Sequence, residues 1–172
     1  MEGTAAGARR PGRTTLVLDT RERDPSETLS NIVQLIQQRF KTDVCSVYLL
    51  EPDRSSLVLA ATVGLRSDSI GRVRMRLTEG LAGLVAEQLC PQVVADATAH
   101  PRFKYFPEAG EDPYHSFLGV PILDRGLLQG VLVVQTLDPR SFSADDVRML
   151  NTAGTQLSPI VADARTLGHF VA

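Results

Sequence analysis

The chain has 172 residues, of which 43% are apolar and 22% charged, with 18 basic against 20 acidic side chains and a formal net charge of −2. A chain of this size buries about 70% of its surface on folding, enough for one core without help from disulfides or metal. The near-neutral balance leaves no electrostatic footprint for nucleic acid or an anionic membrane, and no apolar run approaches the roughly 20 residues of a membrane span.

Residues 1–13 are rich in Gly, Ala and Arg and lack periodicity. Arg9, Arg10 and Arg13 precede no apolar stretch, so the segment reads as a disordered tail rather than a secretory signal. A single domain is expected over 14–168, with 169–172 as a tail or the start of a linker. The first helix begins at Asp24: this residue caps, Pro25 suits the first helical position, and Glu27 sits where a capping box needs it. Leu29, Ile32, Val33, Ile36 and Phe40 then repeat at helical spacing. Val44–Leu50 and Leu57–Val63 read as two strands joined by the turn residues Glu51 to Ser55. From Arg72 to Leu77 charged and apolar residues alternate, as in a half-solvated strand whose edge is protected by Arg72, Arg74 and Arg76. The same three arginines permit an anion-binding stripe.

Thr78 is placed to cap a short helix with Leu81, Leu84, Val85 and Leu89 on one face. Gln92 to Ala95 is a fourth strand. Asp96 to Ser116 then forms a long irregular segment, of a length that compact domains rarely carry without a use. Phe117–Leu123 and Leu127–Leu137 are strands, and Asp124, Arg125 and Gly126 fit a three-residue hairpin loop. Ser143 opens the last helix with Asp146 completing the box, and Phe142 is placed to staple onto Val147. Pro159 falls inside this helical pattern and predicts a kink or an early stop. Hairpins in the middle and helices at the ends indicate an α+β fold with an antiparallel sheet and helices mainly on one face.

Six stretches, in order, resemble the GAF domain family: 43–49 (DVCSVYL), 61–65 (ATVGL), 79–85 (EGLAGLV), 95–105 (ADATAHPRFKY), 117–121 (FLGVP) and 128–135 (LQGVLVVQ). The fifth and sixth are typical of GAF domains in general. The first and fourth are more specific to the amino-terminal GAF domains of nitrogen-branch phosphoenolpyruvate-protein phosphotransferases. The resemblance implies a GAF/PAS-like curved antiparallel sheet with the terminal helices packed on one face and a lidded ligand cavity on the other. It also implies a regulatory role tied to nitrogen status, a small-molecule effector of which glutamine is the amino acid suggested, and homodimers held by the terminal helices. The 172 residues leave no room for a phosphohistidine domain or a phosphoenolpyruvate-binding barrel, so phosphotransfer is expected to lie outside them, in a C-terminal output domain or a partner.

The long segment supplies the candidate ligand-binding residues. Asp96, His100, Arg102, Tyr105, Tyr114, His115 and Ser116 mix donors and acceptors with Phe103, Phe106 and Phe117, and Lys104 lies among them. A pocket needs that mixture of apolar wall and a few polar groups. For an amino-acid effector, Arg102 is the expected carboxylate partner and Asp96 the expected ammonium partner. The alternative is that Asp96 caps the following turn, the aromatics close onto the core, and Arg102 and Lys104 are solvated. Tyr48, Thr62 and Gln135 are polar groups in otherwise apolar strands; they face either solvent or the cavity, because a one-residue change of register inverts the answer. Gln135 is the strongest of the three.

His100 and His115, with Asp96 and Asp112 nearby, match no established ligand spacing, so no metal and no cofactor is expected. The two cysteines, Cys45 and Cys90, form neither a disulfide framework nor a zinc pattern, which points to a reducing, cytoplasmic setting. Cys45 sits among apolar neighbours and reads as inert; Cys90 precedes Pro91 and reads as exposed. No nucleophile–base arrangement, phosphate-cradling glycine loop or paired carboxylate suggests an enzyme. Two other readings stand beside ligand sensing: a structural homodimerisation module with a filled cavity, and a thiol-dependent free methionine sulfoxide reductase working through Cys90, whose motif spacing is not present.

Overall fold

The computed structural model describes residues 24–109 and 114–167. The expected tails at 1–13 and 169–172 lie outside the described residues. α1 (Pro25–Phe40) starts as the sequence dictates: the Asp24 carboxylate accepts the Ser26 N–H at 3.0 Å, and Pro25 occupies the first turn, where no backbone donor is needed. It ends at Lys41, whose backbone is left-handed (φ 53°) and whose N–H returns to the Gln37 carbonyl. Leu29, Ile32, Val33, Ile36 and Phe40 are all buried.

Strands β1 (Val44–Leu50), β2 (Ser56–Val63), β3 (Arg74–Arg76), β4 (Gln92–Val94), β5 (Ser116–Asp124) and β6 (Leu127–Thr136) form one antiparallel sheet in the order β3-β2-β1-β6-β5-β4. Between β3 and β4 runs α2 (Gly80–Gln88), and α3 (Ala144–Thr166) closes the domain. Side-chain alternation splits the interior into two cores, one on each face of the sheet. On one face Cys45, Val47, Leu49, Val58, Leu118, Val120, Leu132 and Val134 meet α1 and α3. On the other, Tyr48, Leu50, Leu57, Leu59, Phe117, Val131 and Val133 meet α2 and the segment after β4. The central strands β1, β5 and β6 are thus apolar on both sides, which explains why their sequences run nearly without polar residues.

Four expectations need correction. The β5–β6 connection has two residues, not three: Arg125 and Gly126 both have positive φ (52° and 79°), the backbone that a tight hairpin compatible with strand twist requires. α2 is preceded by Glu79 rather than Thr78 at its N-cap, with no side-chain cap, and Leu89 is its left-handed, half-exposed C-cap instead of a core residue. The third strand pairs only over Arg74–Arg76, although Val73 and Met75 are buried and Arg72, Arg74 and Arg76 exposed as expected. α3 runs through Pro159 to Thr166, so of the kink or early stop expected at the proline the early stop does not occur. Leu157, Ile160, Val161 and Ala164 are buried on both sides of the proline, and their packing holds the helix across the missing hydrogen bond. Its start follows the sequence: Ser143 and Asp146 exchange hydrogen bonds in a capping box, at 3.1 and 2.9 Å.

Candidate functional site

The face of the sheet opposite α1 and α3 is roofed by α2 and by the residues after β4. Between roof and sheet lies a cavity of about 70 Å³. Its floor is Tyr48 of β1, Phe117 of β5, and Val133 and Gln135 of β6; Met75 and Leu81 close one side. Phe103, Lys104, Tyr105, Phe106, Ala109 and Tyr114 form the roof. Strand register explains why Gln135 points inward. Val131, Val133 and Gln135 are spaced two apart on one face, and the two valines belong to the core under α2. Gln135 is half-buried, and its amide has no hydrogen-bond partner among the described residues, in a wall that mixes apolar residues with Tyr48, Lys104, Tyr105 and Tyr114.

The roof is short of regular structure but well tied. Ala97–Ala99 and Pro107–Ala109 are 3₁₀ turns. Arg102 donates through Nη2 to the Leu77 carbonyl at 3.0 Å and reaches Glu87 of α2 at 3.4 Å. Its Nε is buried without a partner among the described residues. Lys104 pairs with Glu79 at 3.0 Å, and its ammonium also lies 5.2 Å from the Phe106 ring centre. The hydrogen bond from Lys104, with a second from the Arg76 N–H, holds the Glu79 carboxyl below its ordinary range. The Arg66 N–H donates to the Ala109 carbonyl at 3.2 Å, and the Tyr114 hydroxyl to the Gly64 carbonyl at 3.4 Å.

Of the eight residues singled out from the sequence, Tyr105, Tyr114 and Gln135 line the cavity. The other five do not. Asp96 is exposed at the N-cap of the Ala97–Ala99 turn; its side chain accepts the Thr98 hydroxyl at 2.9 Å and makes no hydrogen bond that caps the turn. His100 Nδ1 accepts the Arg102 N–H at 3.0 Å. Arg102 braces the roof against α2 and β3, so it and Asp96 do not form a carboxylate and ammonium pair in the cavity. His115 Nδ1 bonds the Leu137 carbonyl at 2.6 Å, and Ser116 is buried in β5 against the Thr136 hydroxyl. Tyr48 and Lys104 are cavity residues outside that set; strand register carries the signal for the first, and the second lies within the polar and aromatic run around Phe103 and Phe106. Thr62 bonds Ser46 across the β1–β2 pair at 2.9 Å.

Among the described residues no group of three or more His, Cys, Asp and Glu gathers as metal ligands, and no helix is long and apolar enough to cross a membrane. Cys45 is fully buried, and burial pushes its thiol far above the ordinary range, which makes it unreactive. Cys90 is exposed, 3.3 Å from the Gln92 amide nitrogen. Arg74 of the arginine stripe is engaged by Glu51 at 2.8 Å and by the Gly71 carbonyl.

Comparison with known proteins adds four findings. The sequence profile described as "GAF domain" matches residues 22–162. A Salmonella typhimurium protein described as "Phosphoenolpyruvate-dependent phosphotransferase system" is 39% identical over 145 residues, covering 84% of this chain and 19% of its own length. The chain thus spans about a fifth of the length of that curated relative. The GAF domain from a phosphoenolpyruvate-protein phosphotransferase of Coxiella burnetii superposes with a TM-score of 0.78 at 36% identity, covering 84% of this chain and 86% of that one. A free methionine-R-sulfoxide reductase from Neisseria meningitidis superposes with a TM-score of 0.70 at 23% identity, over 84% and 81% of the two chains. That last likeness is one of fold.

Proposed function

The chain belongs to the GAF domain family, and on that premise we propose that it is a non-catalytic regulatory module sensing a small molecule in the cavity beneath residues 103–109 and 114. The observation that carries this reading is a cavity whose apolar wall is mixed with the half-buried Gln135 amide, Tyr48, Lys104, Tyr105 and Tyr114. A bound molecule offering a carbonyl, carboxylate or hydroxyl to that amide gains a hydrogen bond worth about 0.5–1.5 kcal/mol net. The present volume is about half that of an apolar cavity of about 150 Å³ that accepts benzene, so an effector of amino-acid size requires the roof to move outward.

That movement would strain the ties from Arg102, Lys104 and Tyr114 to α2, β3 and the end of β2. The sheet beneath is shared with α1 and α3. Binding biases the helices only to the extent that the effector prefers one arrangement. We assign the output to a cytoplasmic signalling reaction outside these residues, with phosphoenolpyruvate-dependent phosphotransfer under nitrogen control as the first choice, in keeping with the relatives above. Homodimerisation through α1 and α3 belongs to the same reading and is supported by the exposed Leu35 and Met149 on those helices.

Isothermal titration of the whole chain with glutamine, other amino acids and 2-oxoglutarate tests the reading. One saturable binder is expected, weakened at least about tenfold in Gln135→Leu. Silence across the panel would contradict the amino-acid form of the proposal. A second reading, a dimerisation module with no ligand, is favoured by the small volume. It predicts a dimer by light scattering whose melting temperature no metabolite shifts.

A further inference from the structure

Two arginines bond neighbouring acceptors where the central strands β1 and β6 meet the last turn of α3. Arg165 donates through Nε to the Leu50 carbonyl at the end of β1 and through Nη1 to Gln129 Oε1 near the start of β6, both at 2.6 Å. Arg54, in the β1–β2 turn, donates through Nη2 to the Leu128 carbonyl, next to Gln129, at 3.3 Å. All three acceptors are neutral, and each guanidinium keeps most of its five N–H donors for something else. The acidic residues flanking Arg54 are turned away from it. Glu51 is held by Arg74 at 2.8 Å, and Asp53 accepts from the Ser55 N–H and hydroxyl at 3.0 and 2.7 Å. No ion pair among the described residues includes Arg54 or Arg165. The two charges feel each other: partial burial, and after it the positive charge of Arg54, lower the proton affinity of Arg165. The carbonyl end of α3 supplies only about half a negative charge against this pair.

We propose that Arg54 and Arg165 form a binding site for a phosphate group, bridging the β1–β2 turn to the C-terminal turn of α3. Two uncompensated guanidinium forks match a near-dianionic phosphate, with three oxygens to accept from both, better than a single carboxylate. Arg165 is pre-oriented by its two short bonds, so little of its freedom remains to be lost. A bound phosphate removes the repulsion and fastens α3 to the ends of the central strands β1 and β6 at a point separate from the cavity.

The test is calorimetric titration of the whole chain at constant ionic strength with inorganic phosphate, glycerol 3-phosphate and, as a monoanion, acetate. The variant is Arg54→Asn, because position 54 has φ 59° and asparagine tolerates that backbone. Saturable binding at one site per chain is expected for phosphate or its ester, whichever is tighter naming the source. Acetate binding should be weaker, and Arg54→Asn should lose at least about tenfold with its melting temperature little changed. Arg165→Lys, which keeps the charge and loses the fork, should bind weakly. No saturable binding of either phosphate, acetate binding as tight as phosphate, or unchanged affinity in Arg54→Asn would each overturn the proposal.

Discussion

Gln135 brings an amide to a wall shared with Val131 and Val133 and leaves it unpaired among the described residues. Gln135→Leu replaces it with an apolar group of similar size. Because the amide is only half-buried, chemical denaturation should show a change within about 0.5 kcal/mol, together with loss of effector response; a larger loss of stability would mean that the amide is hydrogen-bonded in the folded chain. Glu79 reports on the roof. Its carboxyl is held below its ordinary value of 4.5 in the folded chain. The bond to Lys104 therefore contributes stability that is present above that value and is lost as pH falls through the lowered one. The parent should lose melting temperature more steeply than Glu79→Gln on acidification below about pH 4, and parallel curves would remove Lys104–Glu79 from the account. Gly119 shows how tightly α2 sits. A Cβ there would lie 2.8 Å from both the Phe117 ring and Val85 Cγ2. Gly119→Ala should cost about 1–3 kcal/mol by overpacking, read as an earlier urea midpoint.

At the scale of elements, α3 is the test case. Its line of buried residues, Leu150, Gly154, Leu157, Val161 and Ala164, is continuous across Pro159, which itself is exposed. Pro159→Ala restores a backbone donor and removes no packing, so thermal unfolding should show a gain of about 1–3 kcal/mol; a loss would mean that the proline sets a needed bend. Most elements were legible because their signals are local: the cap at Asp24, the box at Ser143 and Asp146, and the alternation of Arg72 to Leu77. Where the reading went astray, tertiary packing outweighed the local signal. Leu157 and Val161 carry α3 past its proline, and the turn at Arg125 and Gly126 closed one residue tighter than its composition suggested. The site was harder. Aromatic and polar density marked the right segment, and Tyr105, Tyr114 and Gln135 do reach the cavity. Arg102, His115 and Ser116 are turned by the Leu77 carbonyl, the Leu137 carbonyl and the Thr136 hydroxyl, 20 to 25 residues away, and no spacing rule encodes those; Asp96 and His100 bond locally to Thr98 and Arg102 instead.

For the molecule as a whole, one sheet has two occupied faces. Helices α1 and α3 hold one and the cavity with its roof holds the other, so β1, β5 and β6 belong to both cores at once. A change in the roof is thereby one strand thickness from the helices expected to carry a signal. Packed interiors transmit such shifts because they have few voids to absorb them. Hydrogen–deuterium exchange, compared with and without a saturating metabolite identified by titration, tests this most directly. Slower exchange in residues 97–109 and at the ends of β5 and β6 beside Phe117 and Gln135, followed by a smaller change in α3, is the predicted result. Protection confined to the outer surfaces of α1 and α3, with 97–109 unaltered, would contradict it.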